Sequence, residues 1–116
     1  MIRLLVADDD RFFRQVLTRF LEDAGYEVLA AANGQEAIAQ ATASPVALAV
    51  LDVALPLVTG DEVARALPAG TPSVFVSGRD LDRLEGIEGD RYRFLRKPAD
   101  LDEILAHIRA LLGEAR

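Results

Sequence analysis

Short apolar runs rich in β-branched residues alternate along this chain with stretches whose apolar positions recur at helical spacing. Residues 2–7 form the first run and end at acids, which predicts a buried strand. Residues 10–24 follow, with Phe13, Val16, Leu17, Phe20, Leu21 and Ala24 spaced i, i+3, i+4, i+7, i+8 and i+11. That spacing is one apolar face of a helix. Asp9 or Asp10 can cap its start, and Gly25 sits where a left-handed C-terminal residue belongs. Residues 26–31 read as a second strand. Asn33-Gly34-Gln35-Glu36 has the form of a capping box and opens an Ala-rich helix to about Thr42. Residues 46–51 are nearly all apolar, as a strand covered on both faces requires. Residues 59–67 make a short helix closed by Pro68 and Gly70, and residues 73–76 a fourth strand. Residues 79–88 are only weakly helical, because Gly86 and Gly89 interrupt them. Residues 92–95 are a fifth strand. The last helix follows, with Asp100 and Glu103 at its start and Leu101, Ile104, Leu105, Ile108, Leu111 and Leu112 as its stripe.

Five strands alternating with five helices predict an α/β three-layer sandwich around a parallel sheet. Right-handed crossovers leave few topologies, and the flavodoxin-like strand order 2-1-3-4-5 suits five strands. With 116 residues, the chain is expected to be a single domain. Composition narrows the function classes. The net charge of −6 argues against direct nucleic-acid binding and against an anionic membrane surface. The absence of cysteine excludes a disulfide scaffold, a thiolate metal site and thiol catalysis. No apolar run reaches transmembrane length, and the N-terminal run turns acidic at Asp8, unlike a signal peptide. A soluble cytoplasmic domain is expected.

In doubly wound sheets the functional crevice lies beyond the carboxyl ends of the strands. Here strand 1 ends in Asp8-Asp9-Asp10, strand 3 in Asp52, strand 4 in Ser77 and strand 5 in Lys97-Pro98. Crowded carboxylates repel one another and call for a cation. A hard divalent ion such as Mg2+ takes a few carboxylates plus water. A phosphoryl group arriving at Asp52 could then be neutralised by the metal and by Lys97 while Ser77 donates a hydrogen bond.

These residues carry a specific resemblance. Val6-Ala7-Asp8-Asp9-Asp10, Leu51-Asp52-Val53-Ala54-Leu55-Pro56 with Gly60 eight residues after Asp52, Val76-Ser77-Gly78 and Phe94-Leu95-Arg96-Lys97-Pro98 follow in order on the expected strands. Together they resemble the receiver (CheY-like) domain of two-component response regulators over essentially the whole chain. The resemblance implies that Asp52 is the phosphoacceptor. It implies Mg2+, or Mn2+, held by Asp9 directly, by Asp8 mainly through water, by Asp52 and by the backbone carbonyl of Ala54. Ser77 is then the switch hydroxyl and Phe94 the switch aromatic that turns into the space Ser77 vacates. Lys97 pairs with phosphoryl oxygens, and the Lys97–Pro98 peptide is expected to be cis. The implied partners are a sensor histidine kinase or phosphotransfer protein and a downstream protein target or second copy. The implied readout surface is the fourth helical segment, strand 5 and the last helix, roughly residues 79–112. Such a domain catalyses only its own phosphorylation and dephosphorylation and is otherwise not an enzyme.

Several positions depart from the family pattern. The spacings from Asp52 to Ser77 and from Ser77 to Lys97 are short, and the fourth helical segment is expected to be short or partly unwound. Gly78 replaces the commoner Ala. Ala54 and Arg79 offer neither carboxylate nor amide to guide a hydrolytic water, so a long-lived phosphoryl group is expected. Arg91, Arg93 and Arg96 read as one positive stripe on strand 5 that can dock a partner, and His107 as a partly exposed surface residue. The sequence runs to just after the last helix; if that is the whole protein, output by binding another protein is expected, and if it is a piece of a longer one, a DNA-binding or enzymatic output domain is expected to follow. Two other readings compete. One is a phosphorylation-independent adaptor with a receiver-like fold. The other is a Mg2+-dependent phosphatase using the Asp-x-Asp of Asp8-Asp9-Asp10, against which stands Arg11-Phe12 where a small turn is expected.

Overall fold

In the computed structural model, which describes residues 1–113, five parallel strands stand in the order β2-β1-β3-β4-β5. These are β1 (Arg3–Ala7), β2 (Glu27–Ala31), β3 (Leu48–Leu51), β4 (Ser73–Ser77) and β5 (Tyr92–Arg96). The helices are α1 (Arg11–Asp23), α2 (Gly34–Ala43), α3 (Gly60–Ala66) and α4 (Leu101–Leu112). The expected strand order is the observed one. Every residue of β3 and β4 is buried, as their apolar runs require, whereas the edge strands β2 and β5 are only partly covered.

The two sheet faces carry separate apolar layers. Leu5, Ala7, Ala49, Leu51 and Phe75 point to α2 and α3, where Ala37, Ala41, Val63 and Leu67 meet them. Leu4, Val6, Leu48, Val50, Val74 and Val76 point the other way, onto Leu17 and Leu21 of α1 and Ile104, Leu105 and Ile108 of α4. This period-2 division of each strand between two helical layers makes the three-layer sandwich.

Local chemistry sets the helix ends. The Asp10 carboxylate accepts from the Phe13 N–H, and the Asp100 carboxylate from the Asp102 N–H. Asn33 accepts from Glu36 N–H at 2.8 Å, while Glu36 reaches back one residue further than a standard box, to Ala32 N–H.

The fourth helical segment is where the structure departs most from five helices. Only a 3-10 turn, Leu81–Leu84, forms there. Asp80 precedes it at φ +58, and Gly86 and Gly89 follow at φ +88 and +125. These backbone states are outside right-handed helical space, so a helix cannot run through Asp80, Gly86 or Gly89, and only one short turn fits between the first two. The positive stripe is also corrected. On β5, Arg93 pairs in register with Val74 and faces the α4 layer, where its Nη1 meets His107 Nδ1 at 3.2 Å. Arg96 pairs with Ser77 and, by alternation, points to the opposite face.

Candidate phosphoacceptor site

The parallel register delivers four strand ends to one edge of the sheet. Ala7 lies beside Leu51, so Asp8 and Asp52 emerge as neighbours. Ser77 lies beside Arg96, so Lys97 emerges next to the end of β4. The Asp52 N–H donates to Ala7 O at 3.0 Å, and the Lys97 N–H to Ser77 O at 3.0 Å, which continues the ladder into the site.

Asp52 is the centre of the arrangement and is 7% exposed. Its Oδ1 accepts from the Ser77 hydroxyl at 2.7 Å and from the Ala54 N–H at 3.0 Å. Its Oδ2 has the Lys97 ammonium at 3.2 Å. Asp8, more deeply buried still, accepts from Lys97 Nζ at 2.8 Å and from the Asp10 N–H at 2.9 Å. Ser77 is fully buried, and its single hydroxyl proton faces two acceptors, Asp52 Oδ1 and the Arg79 carbonyl at 3.0 Å. Asp9 is exposed at the mouth.

The electrostatics follow from burial and from one cation shared by two acids. Burial pushes the Asp8 carboxyl above the ordinary carboxylate range, and nearby Asp52 adds to this; donation from Lys97 and Asp10 only partly offsets it. For Lys97 burial opposes the charge, but the Asp8 and Asp52 carboxylates outweigh it and hold the ammonium above its usual value. Carboxylate oxygens of Asp8, Asp9 and Asp52 all lie within 4.8 Å of one another. Three carboxylates against one ammonium leave two negative charges unbalanced, the complement of a divalent ion. The all-oxygen donor set fits Mg2+ or Mn2+.

Of the residues singled out in the sequence, Asp8, Asp52, Ser77 and Lys97 are joined by hydrogen bonds, Asp9 stands beside them, and Ala54 contributes its N–H. The Lys97–Pro98 peptide is cis. Phe94 stands apart, on the edge strand. Its ring stacks on buried Phe75 at 5.6 Å and 7°, and the residue is 48% exposed. Gly60 has a local reason in the site. A Cβ there would lie 2.2 Å from the carbonyl oxygen of Asp52, so only glycine lets α3 approach the strand end.

Two contributors escaped the sequence reading. Phe13, counted as part of a helix face, lies under the Lys97 ammonium at 4.9 Å. Arg14 donates from Nη1 to the Asp8 carbonyl at 2.8 Å, steadying the end of β1. Neither has a signal in spacing, because each contact depends on how α1 packs against the strand ends.

A doubly wound sheet with acids, a hydroxyl and an ammonium converging at its carboxyl edge defines an α/β domain of the doubly wound class. The chain belongs to the response regulator receiver domain family, whose model matches residues 4–109. The response regulator MprA of Mycobacterium tuberculosis is 39% identical over 121 aligned residues, covering 99% of this chain and 52% of that protein. MprA of Mycolicibacterium vanbaalenii is 38% identical over 116, covering 96% and 50%. The chain thus spans about half the length of the curated relatives it matches. Among solved structures, a CheY-like receiver domain protein from Methanospirillum hungatei superposes with a TM-score of 0.87 at 28% identity, covering 97% of this chain and 94% of that one. The chemotaxis protein CheY4 of Vibrio cholerae does so at 0.83 and 29%, covering 96% and 98%. No described helix is long and apolar enough to cross a membrane.

Proposed function

We propose that this receiver domain is a phosphorylation-dependent switch with Asp52 as its acceptor. The observation that carries the reading is the convergence of a hydroxyl and an ammonium on one buried carboxylate within 3.2 Å. The donor is a phosphohistidine of a sensor histidine kinase or phosphotransfer protein. An Asp52 oxygen attacks phosphorus, the P–N bond to the imidazole breaks, and the imidazole nitrogen keeps the electron pair and takes a proton. Oδ2 is the less occupied oxygen, since Oδ1 already accepts two donors. Lys97 supplies charge to a phosphoryl oxygen by turning from the carboxylates it now bridges, and Ser77 supplies a hydrogen bond. Asp8, Asp9, Asp52 and the Ala54 carbonyl would hold Mg2+ or Mn2+. When bound, the ion neutralises phosphoryl charge. The protein turns over no external substrate; it catalyses only its own phosphorylation and dephosphorylation.

The output is a population shift between two conformations. Ser77 leaves Arg79 for the phosphoryl group, and Phe94 turns inward from its half-exposed position. The face spanning the 3-10 turn, β5 and α4 then changes its affinity for a downstream protein or a second copy. This reading takes residues 1–116 as one receiver unit acting in the cytoplasm, without direct contact to nucleic acid or membrane.

The test is incubation with Mg2+ and acetyl phosphate followed by intact mass measurement. One added phosphoryl group is expected on the natural chain and none on Asp52→Asn. No adduct with either Mg2+ or Mn2+ would favour the phosphorylation-independent adaptor.

A further inference from the structure

Outside the acid site, a third buried carboxylate does work of its own. Asp61 opens α3, directly after Gly60, and is 3% exposed. Two guanidiniums reach it. Arg65 Nη1 donates to Oδ2 at 2.9 Å from one turn along the same helix. Arg83 Nε donates to Oδ1 at 3.1 Å from the 3-10 turn. The first pair stays within α3. The second crosses to the segment that stands where a fourth helix was expected.

Besides this pair, the segment is held by Ile87 in the core layer, with Leu84 packed against that layer, and by hydrogen bonds of its own backbone. Leu81 and Leu84 are half-buried and Ile87 is buried, while Asp82, Glu85, Gly86, Glu88, Gly89 and Asp90 are exposed. Left-handed residues bound it on both sides. It is also the continuation of Ser77-Gly78-Arg79, and the Arg79 carbonyl competes with Asp52 for the Ser77 proton. Burial alone would push the Asp61 carboxyl up, but donation from Thr59, Arg65 and Arg83 more than offsets it, so the acid stays charged.

We infer that the Asp61–Arg83 ion pair is a latch. It holds the Leu81–Leu84 turn on α3 and keeps the Arg79 carbonyl beside Ser77, thereby opposing the phosphorylated form. Donation of the Ser77 hydroxyl to a phosphoryl oxygen takes the donor from the Arg79 carbonyl, and the loop that carries this carbonyl is then free to move away from Ser77. A latched turn resists the movement; a released turn permits it. By linkage, whatever frees the turn favours phosphorylation, and phosphorylation frees the turn. The coupling half of this inference rests on the switch reading of Asp52, whereas the latch itself does not.

The experiment compares Arg83→Gln with Arg65→Gln, both partly exposed positions whose loss leaves the core intact. Backbone hydrogen exchange is followed by mass spectrometry in the unphosphorylated proteins. Arg83→Gln is expected to speed exchange across residues 80–89 about fivefold, with β1 and α1 unchanged, while Arg65→Gln stays near the natural rate. At subsaturating acetyl phosphate with Mg2+, the ratio of phosphorylated to unphosphorylated Arg83→Gln should rise by a similar factor. Unchanged exchange in Arg83→Gln overturns the latch. Faster exchange with an unchanged ratio overturns its coupling to Ser77. Absence of an adduct on every variant, the natural chain included, refutes the Asp52 reading and the coupling with it, while the exchange result still decides the latch.

Discussion

Replacing Gly60 with alanine adds one methyl group at the place where α3 meets the end of β3. That methyl would lie 2.2 Å from the Asp52 carbonyl oxygen, 2.8 Å from its carbon and 2.9 Å from Val53 Cα. All three are backbone atoms, so no rotamer change relieves them. Bringing a carbon–oxygen contact out to about 3.3 Å means opening the junction by roughly 1 Å. The Gly60 N–H to Val53 O bond, 2.9 Å long, is then lost or stretched. A lost hydrogen bond of about 1 kcal/mol and overpacking of about 1–3 kcal/mol give roughly 2–4 kcal/mol. Against a total stability of about 5–15 kcal/mol this is a large share, and it lowers Tm by roughly 8–16 °C. Gly78→Ala is the matched control. Its new Cβ would be 3.6 Å from Lys97 Cβ, an ordinary contact, and its effect stays within about 1 kcal/mol. Thermal and urea unfolding of both variants measure the difference. Melting of Gly60→Ala within about 2 °C of the natural chain would refute the packing argument, given that ~1 kcal/mol alone moves Tm further. So would an equal fall in Gly78→Ala.

Asp61→Asn should cost roughly 1–2 kcal/mol, since two charge-assisted bonds are lost to guanidiniums that remain half in water. Its folded pKa lies below the unfolded value of 3.8, so the stabilisation is complete above that value and lost as pH falls through the folded one. The gap in urea stability between natural chain and variant is therefore flat at neutral pH and closes in acid; a gap that widens in acid contradicts the assignment. Lys97→Gln removes ammonium contacts of 2.8 and 3.2 Å and should slow phosphorylation by acetyl phosphate about 10²-fold, with an unchanged rate excluding Lys97 from the chemistry. Ala54→Asn introduces an amide beside the acceptor and should shorten the phosphoryl lifetime about tenfold, short of the ~10²-fold of full acid–base assistance. An unchanged lifetime would show that position 54 does not control water.

Much of the site was legible before the fold because topology does the assembling. Asp8, Asp52, Ser77 and Lys97 each follow directly on a strand, and parallel registers between Ala7 and Leu51 and between Ser77 and Arg96 bring them together. The glycines at 86 and 89 likewise marked the fourth helical segment as weak, although five helices were expected and only a 3-10 turn forms there. What stayed hidden depends on tertiary packing. Asp61 and Arg65 share helical spacing, but nothing in sequence joins Asp61 to Arg83, 22 residues on. Phe13 beneath Lys97 and Arg14 on the Asp8 carbonyl need the tilt of α1. The arginine stripe was misread because position 96 has the opposite strand parity from 91 and 93, so its side chain leaves by the other face.

The central claim is that the acid–hydroxyl–ammonium cluster makes Asp52, and not Ser77 beside it, the phosphoryl acceptor. Phosphorus NMR of the protein after reaction with acetyl phosphate and Mg2+ tests this directly, because an acyl phosphate and a serine phosphate ester differ in shift and in cleavage by neutral hydroxylamine. A single hydroxylamine-labile acyl-phosphate resonance, absent from Asp52→Asn, is the predicted result. A hydroxylamine-resistant ester, or an acyl phosphate that persists in Asp52→Asn, would contradict it.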